Sequence, residues 1–131
     1  MLRNLYLGML LFLVVHTGIA QTTWTGAASS SWNSAANWSA GVPNAALAAI
    51  IAPAANSPTT NVVGAACLHL TVQAGATLNI GASFPLAAHG DVSCAGTVVG
   101  QLRLLGSGTV ATSGAGTLDW VRVFGGPYDI T

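Results

Sequence analysis

Short runs in which apolar residues alternate with other residues, separated by glycines, dominate the second half of the chain. Within residues 68–72, three aliphatic residues alternate with a histidine and a threonine, and apolar residues recur with the same spacing at 78–80, 84–86 and 102–104. A period of two predicts β-strands that bury one face. Twelve of the sixteen glycines lie at or after Gly64, mostly between these runs. Because glycine accommodates sharp bends, the pattern predicts short strands joined by corners.

The strand pattern recurs at a constant interval between residues 61 and 120. Written as three lines of equal length, this region brings the segments 75–78, 95–98 and 115–118 into one column, and each segment ends in a threonine followed by an aliphatic residue. Such a period with glycine corners is typical of a solenoid, in which each coil buries its apolar face against the next. The sequence therefore predicts an all-β fold, a single-stranded parallel β-helix (β-solenoid) with coils of about 20 residues.

The repeat also assigns individual positions to the inside or the outside of the stack. The residues predicted to point inward are Leu70, Leu78, Val98 and Leu118. Thr71 and Asn79 alternate with them and are predicted to point outward. The shared column of Thr77, Thr97 and Thr117 predicts a ladder of stacked threonines along the solenoid.

Residues 1–20 have the features of a secretory signal peptide. Arg3 supplies a positive start, residues 5–15 are apolar, and small residues at 18 and 20 precede a cleavage point after Ala20. The apolar run is shorter than the roughly 20 residues of a membrane-spanning helix. The sequence predicts a protein that is secreted or held at the cell surface, with no membrane insertion after cleavage of the signal.

The remaining residues are sufficient for a single domain, which the patterns divide into three parts. Residues 21–60 are predicted to form a tryptophan-rich N-terminal cap and a first irregular coil, with a short strand within 45–51. Residues 61–123 are predicted to form the regular coils of the β-solenoid. Residues 124–131 are predicted to form a C-terminal tail or partial cap, because repeat proteins commonly cover their terminal repeats.

Several motifs resemble extracellular β-helix segments. They are Trp24-Thr-Gly26, Trp32, Asn37-Trp38-Ser39, Gly41-Val-Pro43 and the pattern LxLxVxxGAxLxI at 68–80. Taken together, they are similar to bacterial autotransporter passengers and to the repeats of Bacteroidetes-type secreted and surface adhesins. The resemblance implies a non-catalytic structural or adhesin-type module of the cell surface, and a chain that is a fragment of a longer surface protein or a minimal version of one.

Three tryptophans near the N-terminus allow two interpretations. Trp24, Trp32 and Trp38 precede the regular repeat, so their rings could cover the apolar end of the first coil. Tryptophan is mostly buried in proteins, which favours this capping role. Planar indoles also stack on sugar rings, and the alternative is a carbohydrate-binding module in which these three residues contact a polysaccharide.

Charge and the scarcity of reactive groups exclude several functions. Beyond residue 20 the chain has two arginines against three aspartates, with no lysine or glutamate, which leaves a formal charge of −1. A nucleic-acid partner would require several cations to neutralise phosphates. His69 and His89 share a column, but two ligands are too few for a zinc site. No catalytic, cofactor-binding or metal-binding residue and no cofactor is predicted, and the chain is not expected to be an enzyme.

Cys67 and Cys94 are the only two cysteines. An even number of cysteines in an exported chain suggests a disulfide. The two residues lie in different columns of the repeat, whereas a disulfide requires Cα atoms within about 7 Å. Both interpretations, a bridge and two buried thiols, remain open at this point.

The C-terminal end of the predicted stack is short of residues for another coil. Trp120, Val121, Val123 and Phe124 are apolar and follow the last repeat. An uncharged strand edge invites pairing with another chain. These four residues are predicted to mediate head-to-tail self-association, with cell-surface components or a polysaccharide as further candidate partners. In the alternative, the tail folds over this end with Phe124 and Tyr128 as a plug.

Overall fold

The computed structural model describes residues 19–131, which are almost entirely β structure. The signal peptide predicted for residues 1–20 lies outside the described residues, apart from its last two. Among the described residues, no helix has the length and apolar character needed to cross a membrane. A 3-10 helix spans Ala35–Asn37. The strands are β1 (Gln21–Thr23), β2 (Ala48–Ile51), β3 (Ala66–Cys67), β4 (Leu70–Val72), β5 (Thr77–Asn79), β6 (Leu86–Ala88), β7 (Val92–Cys94), β8 (Thr97–Leu104), β9 (Gly108–Thr112), β10 (Thr117–Val123) and β11 (Tyr128–Ile130).

The strands form two parallel sheets that run along the stack. The first sheet has the order β1-β2-β4-β7-β9-β11, and the second has the order β10-β8-β6-β3, with β5 also paired to β8. Every pair of neighbouring strands is parallel. Successive coils therefore add one strand at a time to the first sheet. This arrangement confirms the predicted all-β, single-stranded parallel β-solenoid.

The predicted threonine column is present in the second sheet. Thr97 of β8 is the direct partner of Thr77 on one side and of Thr117 on the other. Elsewhere the spacing departs from this interval, because the loops between strands differ in length. The coil that pairs Leu86 with Leu102 is shorter than the threonine interval, and the coil that pairs Leu70 with Val92 is longer. The regular repeat seen in the sequence is thus an average over coils of unequal length.

The core occupies the space between the two sheets. Leu70, Leu78 and Val98 are buried, as the repeat predicts. Leu118 packs against the core but is only partly buried. The difference has a simple cause, because β10 is the last strand of its sheet and no further coil covers Leu118.

Close stacking at one corner explains why glycine recurs in the repeat. Ala76, Gly96 and Gly116 occupy corresponding positions immediately before the threonine column. A Cβ atom at Gly96 would collide with the backbone carbonyls of Gln73 and Ala76 in the preceding coil. A Cβ atom at Gly116 would likewise collide with the backbone carbonyl of Cys94, so the close approach of successive coils requires glycine at positions 96 and 116.

The N-terminal region is part of the same stack. Strand β2 lies within the predicted strand region of residues 45–51, which confirms that prediction. Strand β1 pairs with β2 in parallel, so the first sheet already begins at Gln21. The irregular coil that follows β1 encloses the three N-terminal tryptophans, whose environment is described below.

The two cysteines are free thiols, and both are buried. Cys67 is on β3 in the second sheet, whereas Cys94 is on β7 in the first sheet. The structure thus has no disulfide between them. Burial raises the pKa of the Cys67 thiol to about 12, because the interior disfavours the charged thiolate.

This pKa shift predicts a loss of stability in alkaline solution. In the unfolded chain the Cys67 thiol loses its proton near its ordinary pKa of 9.0, whereas the folded protein keeps it up to about pH 12. The folded state binds more protons in this window, so the free energy of unfolding should fall as pH rises from 9 to 12. The steepest contribution of one such group is about 1.4 kcal/mol per pH unit. Denaturant titrations at several pH values should show a smaller slope for Cys67→Ala than for the unmodified chain.

Candidate functional site

The three N-terminal tryptophans form one buried cluster. The ring centroids of Trp24 and Trp38 are 5.0 Å apart, those of Trp32 and Trp38 are 4.8 Å apart, and both pairs have an edge-to-face arrangement. The exposed fractions of Trp24, Trp32 and Trp38 are 1%, 0% and 5%. Edge-to-face contact is a favourable geometry for aromatic rings. The cluster fills the interior of the first irregular coil.

Hydrogen bonds of the indole nitrogens hold two of these rings in place. Trp24 Nε1 donates to the carbonyl oxygen of Asn56 at 2.7 Å, and Trp38 Nε1 donates to that of Trp32 at 2.8 Å. The faces of the three rings are covered by one another and by the core. The hypothesis that Trp24, Trp32 and Trp38 contact a glycan is therefore corrected by the structure, because a sugar ring has no access to them.

A buried asparagine organises the loop around the tryptophan cluster. Asn37 is fully buried, and its Oδ1 accepts hydrogen bonds from the backbone nitrogens of Ala28 at 2.8 Å and Ser29 at 2.9 Å. Its Nδ2 donates to Ser29 Oγ and to the carbonyl oxygen of Ser31, both at 3.0 Å. All four hydrogen-bonding positions of the amide are used in this way. A single side chain thus fixes the path of residues 28–31.

The last coil leaves part of the apolar core open. Val121 and Val123 on β10 are the direct partners of Leu102 and Leu104 on β8, which are completely buried. Directly paired residues on neighbouring parallel strands face the same side of a sheet, so both valines point toward the core. Nevertheless, the exposed fraction of Val123 is 50%. We refer to Leu118, Val121 and Val123 as the open end.

The four residues predicted for end-to-end contact lie on two different surfaces. Val121 and Val123 belong to the open end. Trp120 and Phe124 alternate with them and project from the outer face of the second sheet, where their exposed fractions are 55% and 53%. The prediction treated all four as one apolar patch, but the period of two along β10 separates them.

The C-terminal tail covers this end only in part. Strand β11 pairs with β9 and completes the first sheet. The hydroxyl of Tyr128 donates to the carbonyl oxygen of Ala88 at 3.4 Å and accepts from the backbone nitrogen of Gly106 at 3.3 Å. Tyr128 is therefore partly buried and packs against the core. Phe124 does not, because its ring lies on the outer face.

Two arginines enclose the ring of Phe124 on that outer face. Arg122 Cζ lies 4.8 Å from the ring centroid, and Arg103 Cζ lies 5.6 Å from it. These distances are typical of cation–π contacts. Arg103 Nε also donates to Gln101 Oε1 at 3.1 Å. Within residues 19–131, neither guanidinium group forms an ion pair with a carboxylate. We refer to Arg103, Arg122 and Phe124 as the arginine face.

An apolar groove adjoins the arginine face. It has a volume of about 430 Å³ and runs across the outer surface of β6 and β8. Arg103 and Phe124 form one wall, and Ser83 is the other polar side chain that lines it. The remaining lining residues are Val63, Gly64, Ala65, Pro85, Ala87 and Leu105. A concave apolar surface with a few polar groups is the usual form of a small-molecule site.

A histidine and an aspartate meet on neighbouring coils in the first sheet. The backbone nitrogen of Asp91 donates to His69 Nδ1 at 2.8 Å, and Asp91 Oδ2 lies 3.9 Å from the same atom. Asp91 Oδ1 accepts from the backbone nitrogen of Thr109 on the next coil at 2.9 Å. His69 and His89 share a column of the repeat but are not ladder partners, because this coil is longer than the regular interval and brings Asp91 beside His69 instead. The part of the chain that the structure describes has no group of three or more metal-ligating side chains.

One of three comparisons with known proteins matches most of the described residues. Comparison with curated proteins and with solved structures found no match. Residues 23–107 match a family described as Domain of unknown function (DUF8693). The matched region includes the tryptophan cluster, Asn37 and the coils through β8, and it ends before β9. Because this match covers more than half of the sequence, the chain belongs to the family described as Domain of unknown function (DUF8693).

Proposed function

We propose that the chain is a non-catalytic structural module of the secreted or cell-surface adhesin type, which extends by adding a coil at its open end. The observation that carries this proposal is the half-exposed apolar interior of β10. Residues that would be fully covered inside the stack are accessible there. The adhesin-type role and the export of the chain rest on the signal-like N-terminal segment and on the resemblance to extracellular β-helix segments.

The strand edges at the two ends are suited to head-to-tail contact between copies. Strand β11 has a ladder partner only on the β9 side, and β1 has a ladder partner only on the β2 side, within the described residues. Parallel strands stack about 4.8 Å apart, so β1 of a second copy would continue the first sheet beyond β11. Because the two ends differ, repeated contact of this kind would produce a linear fibre.

The amino-acid composition of the chain supports the proposal that copies of the chain associate with one another. Solenoids that remain monomeric usually have a polar outer face on their terminal repeats. Here, the open end consists of Leu118, Val121 and Val123, and the chain beyond residue 20 has no lysine or glutamate to discourage edge pairing. Extension by a further coil would cover these side chains and satisfy the free edges of β10 and β11 together.

Sedimentation velocity at increasing protein concentration tests this proposal. The sedimentation coefficient should rise with concentration for the unmodified protein, and Val123→Lys should abolish the rise because it places a charge at the open end. Val99→Lys is the matched control, since Val99 is an exposed valine on β8 that follows the buried Val98 and therefore faces outward, away from the core. An unmodified protein that stays monomeric throughout, or equal association of the two variants, would contradict the proposal.

A further inference from the structure

We propose that the groove beside the arginine face binds a small amphipathic carboxylate, either an aliphatic or an aromatic carboxylic acid. The carboxylate would pair with Arg103, and the apolar part of the ligand would lie along the groove. This site is on the side of the stack and does not depend on association through the open end. The class of ligand is inferred from three features. They are the apolar residues that line the groove, the hydrogen-bond donors of the arginines, and the pairing of the strands beneath the groove with neighbours on both sides.

The groove provides space and an apolar surface for such a ligand. Its volume of about 430 Å³ falls within the range of roughly 300–1,000 Å³ that is typical of small-molecule pockets. Only Ser83 and Arg103 contribute polar side chains to the lining. Binding in the groove would remove the surface of an apolar chain or ring from contact with water, which is favourable in proportion to the area buried. The groove therefore selects for a ligand that is apolar over most of its length.

Arg103 provides the cation that would bind the carboxylate of the ligand. Its Nε already donates to Gln101 Oε1, and this is its one side-chain hydrogen bond within residues 19–131. The terminal nitrogens of the guanidinium therefore retain their donors, which match the two oxygens of a carboxylate. Contact with the Phe124 ring restrains the guanidinium beside the groove. Restraint of this kind reduces the entropy lost when a ligand binds.

The local charge also favours an anion. Arg122 is the ladder partner of Arg103 and adds a second positive charge on the same face. The nearest acidic residue along β10 is Asp119, whose Oδ2 accepts a hydrogen bond from the backbone nitrogen of Gly100 at 3.0 Å. That carboxylate is therefore engaged by the backbone at Gly100, and Asp119 does not line the groove. Two cations against one anion leave the face with a net positive charge.

The surrounding backbone disfavours a peptide or a sugar as the ligand. Strands β6 and β8 both have ladder partners on each side, so the floor of the groove offers no free strand edge to an extended peptide. A sugar carries hydroxyl groups on most of its atoms. On this apolar floor those hydroxyls would lose water without gaining hydrogen bonds, which is costly. A carboxylic acid with an apolar body avoids both difficulties.

Isothermal titration of the full chain with decanoate, below its micelle-forming concentration, tests this inference. We expect saturable binding of one decanoate per chain, with weaker binding of decanol, which lacks the charge, and of glucuronate, which lacks the apolar chain. Arg103→Gln should weaken decanoate binding by about tenfold or more, as expected for the loss of a charge-assisted hydrogen bond. Val123→Lys should leave decanoate binding unchanged, since Val123 belongs to the open end.

A second variant tests the groove without altering charge. Ala87 lines the groove on β6, so Ala87→Leu should fill it and reduce decanoate affinity. Ala111→Leu is the matched control, because Ala111 is a partly buried strand residue of the first sheet and lies outside the groove. The inference would be overturned by an absence of saturable binding, by equal affinity for glucuronate, or by Arg103→Gln and Ala87→Leu variants that bind decanoate like the unmodified chain.

Discussion

Leu78→Asp is expected to abolish the cooperative unfolding transition of the protein or to lower its midpoint strongly. Leu78 is completely buried on β5, directly beside Val98 of the next coil. A carboxylate at this position would have no partner and no water, at a cost of about 4 kcal/mol or more. A domain of this size is stable by only about 5–15 kcal/mol. Circular dichroism during heating should show either no transition or a large decrease in its midpoint.

Thr71→Asp provides the control for this substitution. Thr71 lies on β4 between two inward-facing residues and is only partly buried. Its side chain points outward, so an aspartate there remains hydrated, and we expect a change in stability of about 1 kcal/mol or less. Equal losses of stability in Thr71→Asp and Leu78→Asp would show that the assignment of inner and outer faces is incorrect.

Asn37→Asp is expected to destabilise the N-terminal coil by about 3 kcal/mol. The new carboxylate could still accept hydrogen bonds from the backbone nitrogens of Ala28 and Ser29. It could not donate to Ser29 Oγ, and it would face the carbonyl oxygen of Ser31 as an acceptor against an acceptor. Denaturant unfolding monitored by tryptophan fluorescence would report this change, since the buried indoles surround the same loop.

Asn44→Asp is the matched control for the Asn37 substitution. Asn44 is exposed, and its Oδ1 accepts from the backbone nitrogen of Ala46 at 2.9 Å. Aspartate retains that acceptor in contact with water, so the free energy of unfolding should change by about 0.5 kcal/mol or less. If Asn37→Asp proved as mild as Asn44→Asp, the amide network would have no special role in holding the loop.

The sequence was most informative where adjacent coils are equal in length. Thr77, Thr97 and Thr117 are ladder partners because the two turns that separate them have the same number of residues. The constant interval of the sequence repeat puts Leu86 and Leu102 in different columns, although these two residues are direct partners on β6 and β8. Loop lengths set the true register, and alternation along a strand carries no information about the length of the loop that follows it.

The candidate sites depend on contacts between coils, which the sequence pattern predicts less well than it predicts the strands. Alternation along β10 places Trp120 and Phe124 on the opposite face from Val121 and Val123, so the shared apolar character of the four residues does not make them one surface. The stacking of Phe124 between Arg103 and Arg122 depends on the register of β8 and β10. The pairing of His69 with Asp91 depends in the same way on the register of β4 and β7, which a longer coil separates. Neither contact follows from local sequence.

The most direct test of the parallel solenoid is the pattern of nuclear Overhauser contacts around Thr97. The structure places Thr77 and Thr117 on either side of Thr97, as parallel partners. In a uniformly labelled sample, the backbone amide and Hα protons of Thr97 should therefore show contacts to residues near 77 and near 117, with the amide-to-Hα pattern of parallel strands. Short Hα-to-Hα contacts between consecutive strands, which are characteristic of antiparallel hairpins, would contradict the solenoid and the open end derived from it.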